Sequence, residues 1–571
     1  MGSRIICSAS ALAVVLLSGT AFSQNTPESP PRISTRADVV IVDTIVTDKR
    51  GQFVTSLTRE DFLVFEDGRP VEVIAFREPA PSALVPAVSA APRAEPEPAA
   101  SAGDPLTVAL YIDSAALTPV GRRRILDGVR SFVAAQLPSG GLRVLIISNA
   151  PGANVTTTVT RRIDEIEAAL DAIARTSAGG VAAKSDERQT IGTIGDIVEM
   201  CEQSPACGDC MKVLEETLGV ARAYAESRRL WLLRLIDNLS VVVSGIGALP
   251  GRKALVYASE TIEQRPGIQL FEQIGEICPR ALEKDASKVY GPMEEYDISP
   301  ALRELAARAN ACRVTLYPVD ARGLQGSSAA DPSFGVRRYT PSARNDAVRE
   351  ANLRAPLEIL AQETGGTAIV GRNELAGALG RLPGELAARY DLGFAPSREP
   401  DGRTHAIKVR LRKGKGLTLR YRQSYLHAPG RTREDERVLA ALLYGLDEDA
   451  LGATVTAELA PANTNHPDQR IALVHISVPL ARLATEPDGD GRRARLRLLL
   501  AVRKTNAADQ SLELREKDVA IRLPATDAQR PEAERHDFVV EVPLGEGAHD
   551  IAVGVHDALS SLASYGRLRV N

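Results

Sequence analysis

No long basic block appears anywhere in these 571 residues, and the formal net charge is only −4. Nucleic acids and anionic membranes are held by clustered Lys and Arg, so the sequence argues against both as partners. Beyond the first residues, no apolar run is read as reaching the about 20 residues needed to span hydrocarbon. Also missing are a His-Glu-x-x-His helix, a Gly-x-Ser-x-Gly elbow, a phosphate loop and a dinucleotide fingerprint. Metalloprotease, serine hydrolase, nucleotide-hydrolysing and dehydrogenase chemistry therefore lack their usual residues. What the chain does have is an ordinary 44% apolar content, enough to fill several cores over a length of three or four domains.

The N-terminus carries Arg4, then the short apolar run Ala11 to Leu17, then Ala21-Phe22-Ser23. That order reads as a signal peptide over residues 1–23, with Gln24 as the mature start. Cys7 precedes the apolar run, which excludes it as a lipoprotein cysteine. The expectation is an exported protein, periplasmic or at the cell surface, with no integral membrane segment in the mature chain. In such a compartment Cys201, Cys207, Cys210 and Cys278 are expected to form two disulfides, with all three pairings open. Cys312, where a helix runs into a strand, reads as a small buried hydrophobe. Cys207-Gly208-Asp209-Cys210 before a long helix also admits a thiol–disulfide enzyme, although the preceding segment lacks the strand such a unit needs. Four thiolates on Zn²⁺ would require a reducing compartment.

Along the chain, residues 24–36 read as disordered. Val39 to Thr47 is a β-branched run, and Leu63-Val64-Phe65, Asp67-Gly68 and Val71 to Phe76 read as a hairpin. Residues 80–104, rich in Pro and Ala, read as a linker. From 105 to 388 strands and helices alternate: Leu106 to Asp113, Val120 to Gln136, Leu142 to Ser148, Asn154 to Thr160, Ala254 to Ser259, Val314 to Asp320. Such alternation implies a mostly parallel sheet covered on both faces, an α/β domain. A helical, Cys-bearing insertion occupies about 180–290. Strand patterns return over 389–425 and are expected to pair with 37–79 as one split β-domain. Residues 434–571 hold a strand series of Ig-like sandwich type, with Ala558 to Gly566 as a turn; Val438 to Leu443 fits helix or strand. His536-Asp537, His549-Asp550 and His556-Asp557 read as solvated strand and turn residues, since neighbours on a strand face opposite sides. Trp231, the only tryptophan, reads as core.

Three stretches carry a resemblance: Val46-Thr47-Asp48 through Glu60-Asp61-Phe62 to Phe65-Glu66-Asp67-Gly68; Tyr317 to Leu324; and Ala361 to Gly366 with Tyr390 to Phe394. Their order resembles the exported von Willebrand factor A-related proteins of acidobacterial type. The resemblance implies a Rossmann-like A domain that binds proteins, with a metal-ion-dependent adhesion site at the strand ends. That family motif is Asp-x-Ser-x-Ser, completed by a Thr and a second Asp. Here Asp113 matches the first carboxylate, but Ala115 and Leu117 hold the two serine positions, and Ser114 is out of register. Ser259-Glu260-Thr261 stands where Thr/Ser-Asp-Gly is usual. A divalent ion wants hard oxygen ligands, so the site is degenerate and no cofactor is expected. Mg²⁺ or Ca²⁺ on Asp113 and Glu260 is the weaker expectation. The sequence thus predicts a non-enzymatic, exported protein-binding or envelope scaffold protein whose protein ligand is unidentified. Asp113, Ser114, Ser259 and Glu260 form its candidate contact face. A metal-dependent adhesin is the runner-up, and the CGDC thiol enzyme the reading from another class.

Overall fold

The computed structural model describes residues 39–79, 106–277, 287–325 and 342–570, less short stretches at 140, 151–152, 158, 203–209, 250, 400, 428–429, 446–447, 461–469, 505–511, 525–533, 546 and 561. The expected signal peptide, the 24–36 segment and the whole 80–104 linker lie outside the described residues. The first strands are β1 (Val40–Thr47), β2 (Phe62–Glu66), β3 (Arg69–Val71) and β4 (Ala75–Arg77). Asp67 and Gly68 both take positive φ, 46° and 80°, as a two-residue hairpin turn requires. The expected second hairpin strand, Val71 to Phe76, is not continuous. β3 pairs with β2, but β4 breaks away to pair with a different strand.

Next come β5 (Leu106–Ile112), β6 (Leu142–Ala150), β7 (Ala153–Thr156), β8 (Arg252–Ser259) and β9 (Val314–Asp320). They form one sheet in the order β7-β6-β5-β8-β9, parallel except for β7. β5 is central: the chain builds outward to β6 and β7 on one side, then to β8 and β9 on the other. β8 and β9 are buried almost end to end, which explains their continuous apolar sequences. Beyond β9, Ile369 forms only one parallel bridge, to Val319, and Gly371 at φ 62° turns the chain away.

The helices over this sheet are α1 (Pro119–Gln136), α2 (Ile163–Arg175), α3 (Gly180–Glu202), α4 (Cys210–Gly247), α5 (Ile268–Ile277), α6 (Ser287–Glu295), α7 (Ser299–Ala311), α8 (Ala343–Thr364), α9 (Ala376–Gly380) and α10 (Leu382–Ala387). Ile125, Val129 and Phe132 of α1 and Leu170 and Ile173 of α2 pack on one face with Leu379 and Leu382. Leu235, Leu239 and Val243 of α4, with α7 and α8, pack on the other. By length and composition, Val213–Gly247 within α4 contains an 18-residue window apolar enough to cross a membrane, with mean hydropathy 1.4. The sequence reading had no such segment after the N-terminus. The stretch from Met211 to about Gly245 reads as continuously helical, with charged residues such as Glu215, Arg222 and Asp237 interrupting its apolar side chains. Trp231 is half-buried against the same core, with the Arg228 guanidinium 4.2 Å above its ring.

Strands resume with β10 (Arg389–Phe394), β11 (Thr404–Leu411), β12 (Thr418–Tyr421) and β13 (Ser424–Leu426). β10 and β12 flank β1, and β4 joins on the far side of β10. β11 lies between β2 and β13. The two four-stranded sheets close over Val42, Val64, Tyr390, Leu392, Phe394 and Ile407.

The remaining elements are α11 (Gly430–Tyr444), then β14 (Glu448–Asp449), β15 (Thr454–Leu459), β16 (Arg470–Pro479), β17 (Glu486–Asp488), β18 (Gly491–Lys504), β19 (Leu512–Pro524), β20 (Arg535–Leu544), β21 (His549–Asp557) and β22 (Ala563–Val570). They make a six-stranded and a three-stranded antiparallel sheet around one core. β22 starts at Ala563 and takes part of the turn expected at 558–566. The reading of the His-Asp pairs as solvated is overturned for two of them. His549, Asp550 and Asp557 are buried, at 6%, 1% and 0% exposure. Burial is possible because Arg503, Arg567 and Arg569 converge on Asp550, and because Asp557 accepts from Ala484 N, Leu559 N and Ser560 Oγ. His556 pairs with Glu434 of α11 at 3.2 Å.

Candidate functional site

The strand ends bring Asp113 and Ser259 side by side on neighbouring parallel strands. Ser259 Oγ and Tyr257 Oη donate to Asp113 Oδ2 at 3.2 and 3.0 Å. Asp113 is fully buried, and its Oδ1 has no hydrogen-bond partner. Burial therefore raises its carboxyl above the usual range, against the opposing pull of Asn149, Tyr257, Ser259 and Arg228.

Ser114 does not line a cleft. Ser148 Oγ donates to Ile112 O at 2.9 Å, which leaves Ser114 Oγ to donate to Ser148 Oγ at 2.8 Å. Leu117, at the second serine position of the motif, is wholly buried in the core under α1. It cannot be exchanged for a metal ligand without emptying part of that core.

Glu260 turns back under the start of α1. Thr118 caps the helix, accepting from Gly121 N through Oγ1 at 3.2 Å. The Thr118 hydroxyl and amide in turn donate to Glu260 Oε1 at 2.7 and 3.2 Å. A carboxylate here also meets the positive end of the helix dipole. Lys184 of α3 supplies the countercharge, Nζ to Oε2 at 3.3 Å, and the Glu260 side chain is only 1% exposed. The loop after β8 is tied down by Arg228, which donates to Thr261 O at 2.5 Å and Glu263 Oε1 at 3.0 Å.

All four residues of the expected contact face are thus buried, at 0% for Asp113 and Ser114, 2% for Ser259 and 5% for Glu260. The structure brings them to one place but turns them inward, with Asp113 Oδ2 and both Glu260 oxygens engaged by neighbours of their own chain. The accessible surface around them belongs to other residues. Val120 is 68% and Leu324 66% exposed. They sit on adjoining segments, since Arg124, one turn along α1 from Val120, donates to Ala321 O at 2.5 Å.

No family model and no curated protein matches the chain. Among solved structures it is similar to a protein described as ApaA from Bordetella pertussis, at 8% identity over 21% of this chain and 88% of that one, with a TM-score of 0.15. A likeness at that level carries no argument about fold or function.

Among the described residues, no three His, Cys, Asp or Glu side chains gather closely enough to hold a metal ion. Cys207 and Cys278 lie outside the described residues, as do the side chains of Cys201 and Cys210, so the disulfide expectation does too. Cys312 is buried, packed in the core beside Ala309 and Val314. Sequence reasoning missed Thr118, Gly121 and Lys184. Thr118 before Pro119 carries a helix-start signal that could have flagged the capping group. Nothing local to Lys184 announces a partner so distant in the chain.

Proposed function

We propose that this chain is an exported, non-enzymatic protein-binding or envelope scaffold protein of von Willebrand factor A-like type, using the strand-end surface around β5 and β8. The carrying observation is the position of Asp113, Ser259 and Glu260. They stand where the strand order reverses, between β5 and β8, the place where open α/β sheets receive ligands. The carboxylates there are engaged by Tyr257, Ser259, Thr118 and Lys184, which favours recognition through the surrounding exposed side chains over metal bridging. Val120 and Leu324, exposed apolar residues beside polar ones, are the type of contact an interface uses.

The test is capture of envelope proteins from the source cells on immobilised full chain, with the double variant Val120→Asp, Leu324→Asp run in parallel. A ligand retained by the wild type and reduced at least about tenfold by the variant, equivalent to about 1.4 kcal/mol, is the expected outcome. Equal retention by both would remove this surface from the account.

A further inference from the structure

The segment leading into α3 is fitted to the strand ends more closely than a passing loop needs. Gly179 N donates to Ser114 O at 2.9 Å and Gly180 N to Leu117 O at 3.0 Å. A Cβ on Gly179 would stand 2.5 Å from Ala115 O, and one on Gly180 would stand 2.6 Å from Ala116 O and Leu117 C. Only glycine lets this backbone lie on the β5–α1 turn.

One turn further along, Lys184 reaches Glu260 Oε2 while remaining 37% exposed. Glu260 is held from behind by Thr118. It is also held by the absence of a side chain at Gly121, where a Cβ would fall 1.7 Å from Glu260 Oε1. The carboxylate is therefore a fixed, buried seat whose Oε2 meets the Lys184 ammonium. Beside it, Asp113 Oδ1 is buried without a partner, a costly state that a closed site tolerates and a ligand group could relieve.

We propose that residues 179–184 form an intramolecular latch, in which the Lys184 ammonium fills on Glu260 the seat for a cationic side chain of the protein ligand. This rests on the strand-end binding reading given above. While latched, the turn from Ser114 to Thr118 is covered by the chain's own backbone. When the start of α3 lifts, that turn and the Glu260 carboxylate become available together. A primary ammonium fits better than a divalent ion because Leu117 and Ala115 offer no side-chain oxygen to complete a metal's shell.

The experiment is hydrogen exchange by mass spectrometry on the full chain, following peptides over 114–122 and 177–184. Lys184→Ala is expected to raise exchange in both peptides, and millimolar n-propylammonium to restore protection in the variant while leaving the wild type unchanged. Gly180→Val, which forces the segment off the turn, is expected to give the same opening. Unchanged exchange in Lys184→Ala would overturn the latch. Restoration by Mg²⁺ in place of the ammonium would overturn the chemistry assigned to the seat. No partner is involved in this readout, so the latch and the binding surface can fail separately.

Discussion

At the residue scale, Asp113 combines full burial, two donors on one oxygen and none on the other. Its carboxyl is raised by burial, so the protonated form is favoured more in the folded chain than in the unfolded one. Such a group stabilises below its unfolded value of about 3.9, and that contribution disappears as pH rises through the folded value. Asp113→Asn keeps an acceptor for Tyr257 and Ser259 without the charge. It should therefore match or exceed the wild type in thermal stability at pH 8, and lose that advantage near pH 3. Thermal denaturation across that range checks it; a variant less stable at pH 8 than at pH 3, relative to wild type, would mean the carboxylate is wanted as an anion. The identity of Asp113 as a strand-end carboxylate was legible in LTVALYID. Its isolation was not, because Tyr257 and Ser259 arrive from a strand far along the sequence. For the same reason Lys184 could not be foreseen as the countercharge of Glu260.

At the scale of elements, alternating or continuous apolar runs marked strands of the central sheet within a residue or two, including β5, β8 and β9. What periodicity could not supply was where each strand pairs. β3 and β4 read as one strand and belong to different sheets. β14 and β17, at two and three residues, are too short for any period to register. β1 finds both neighbours, β10 and β12, in residues 389–421. A fragment covering 39–79 should accordingly stay unfolded, and a dispersed amide spectrum from it would contradict that dependence. In β21, burial would raise the Asp550 carboxyl, but hydrogen bonds from Arg569 and Arg503 and the charge of Arg567 hold it below the usual range. Asp550→Asn should cost about 2 kcal/mol, below a fully buried pair because the arginines are partly exposed. The wild-type advantage is present above about pH 3.9 and should vanish as pH falls through the lowered folded value. Equal denaturant midpoints at pH 7 would show the arginine cluster to be idle.

For the whole molecule, the central sheet and the C-terminal strands share one apolar core. Leu239 and Val243 of α4 and Val438, Ala441 and Leu442 of α11 belong to it together with Leu499, Ala552 and Tyr565 of the last sheet. The sequence left Val438 to Leu443 undecided because a short apolar run fits either period; its helical form is fixed by contact with α4 and β21. Such continuity makes the strand-end region part of a braced body, consistent with a recognition surface whose charges are settled internally.

Whether these charges are settled internally is read by calorimetric titration of the full chain with Mg²⁺ and then Mn²⁺. No saturable binding in the micromolar range is expected, with wild type and Glu260→Gln indistinguishable. One ion bound per chain at micromolar affinity, and lost in Glu260→Gln, would contradict it.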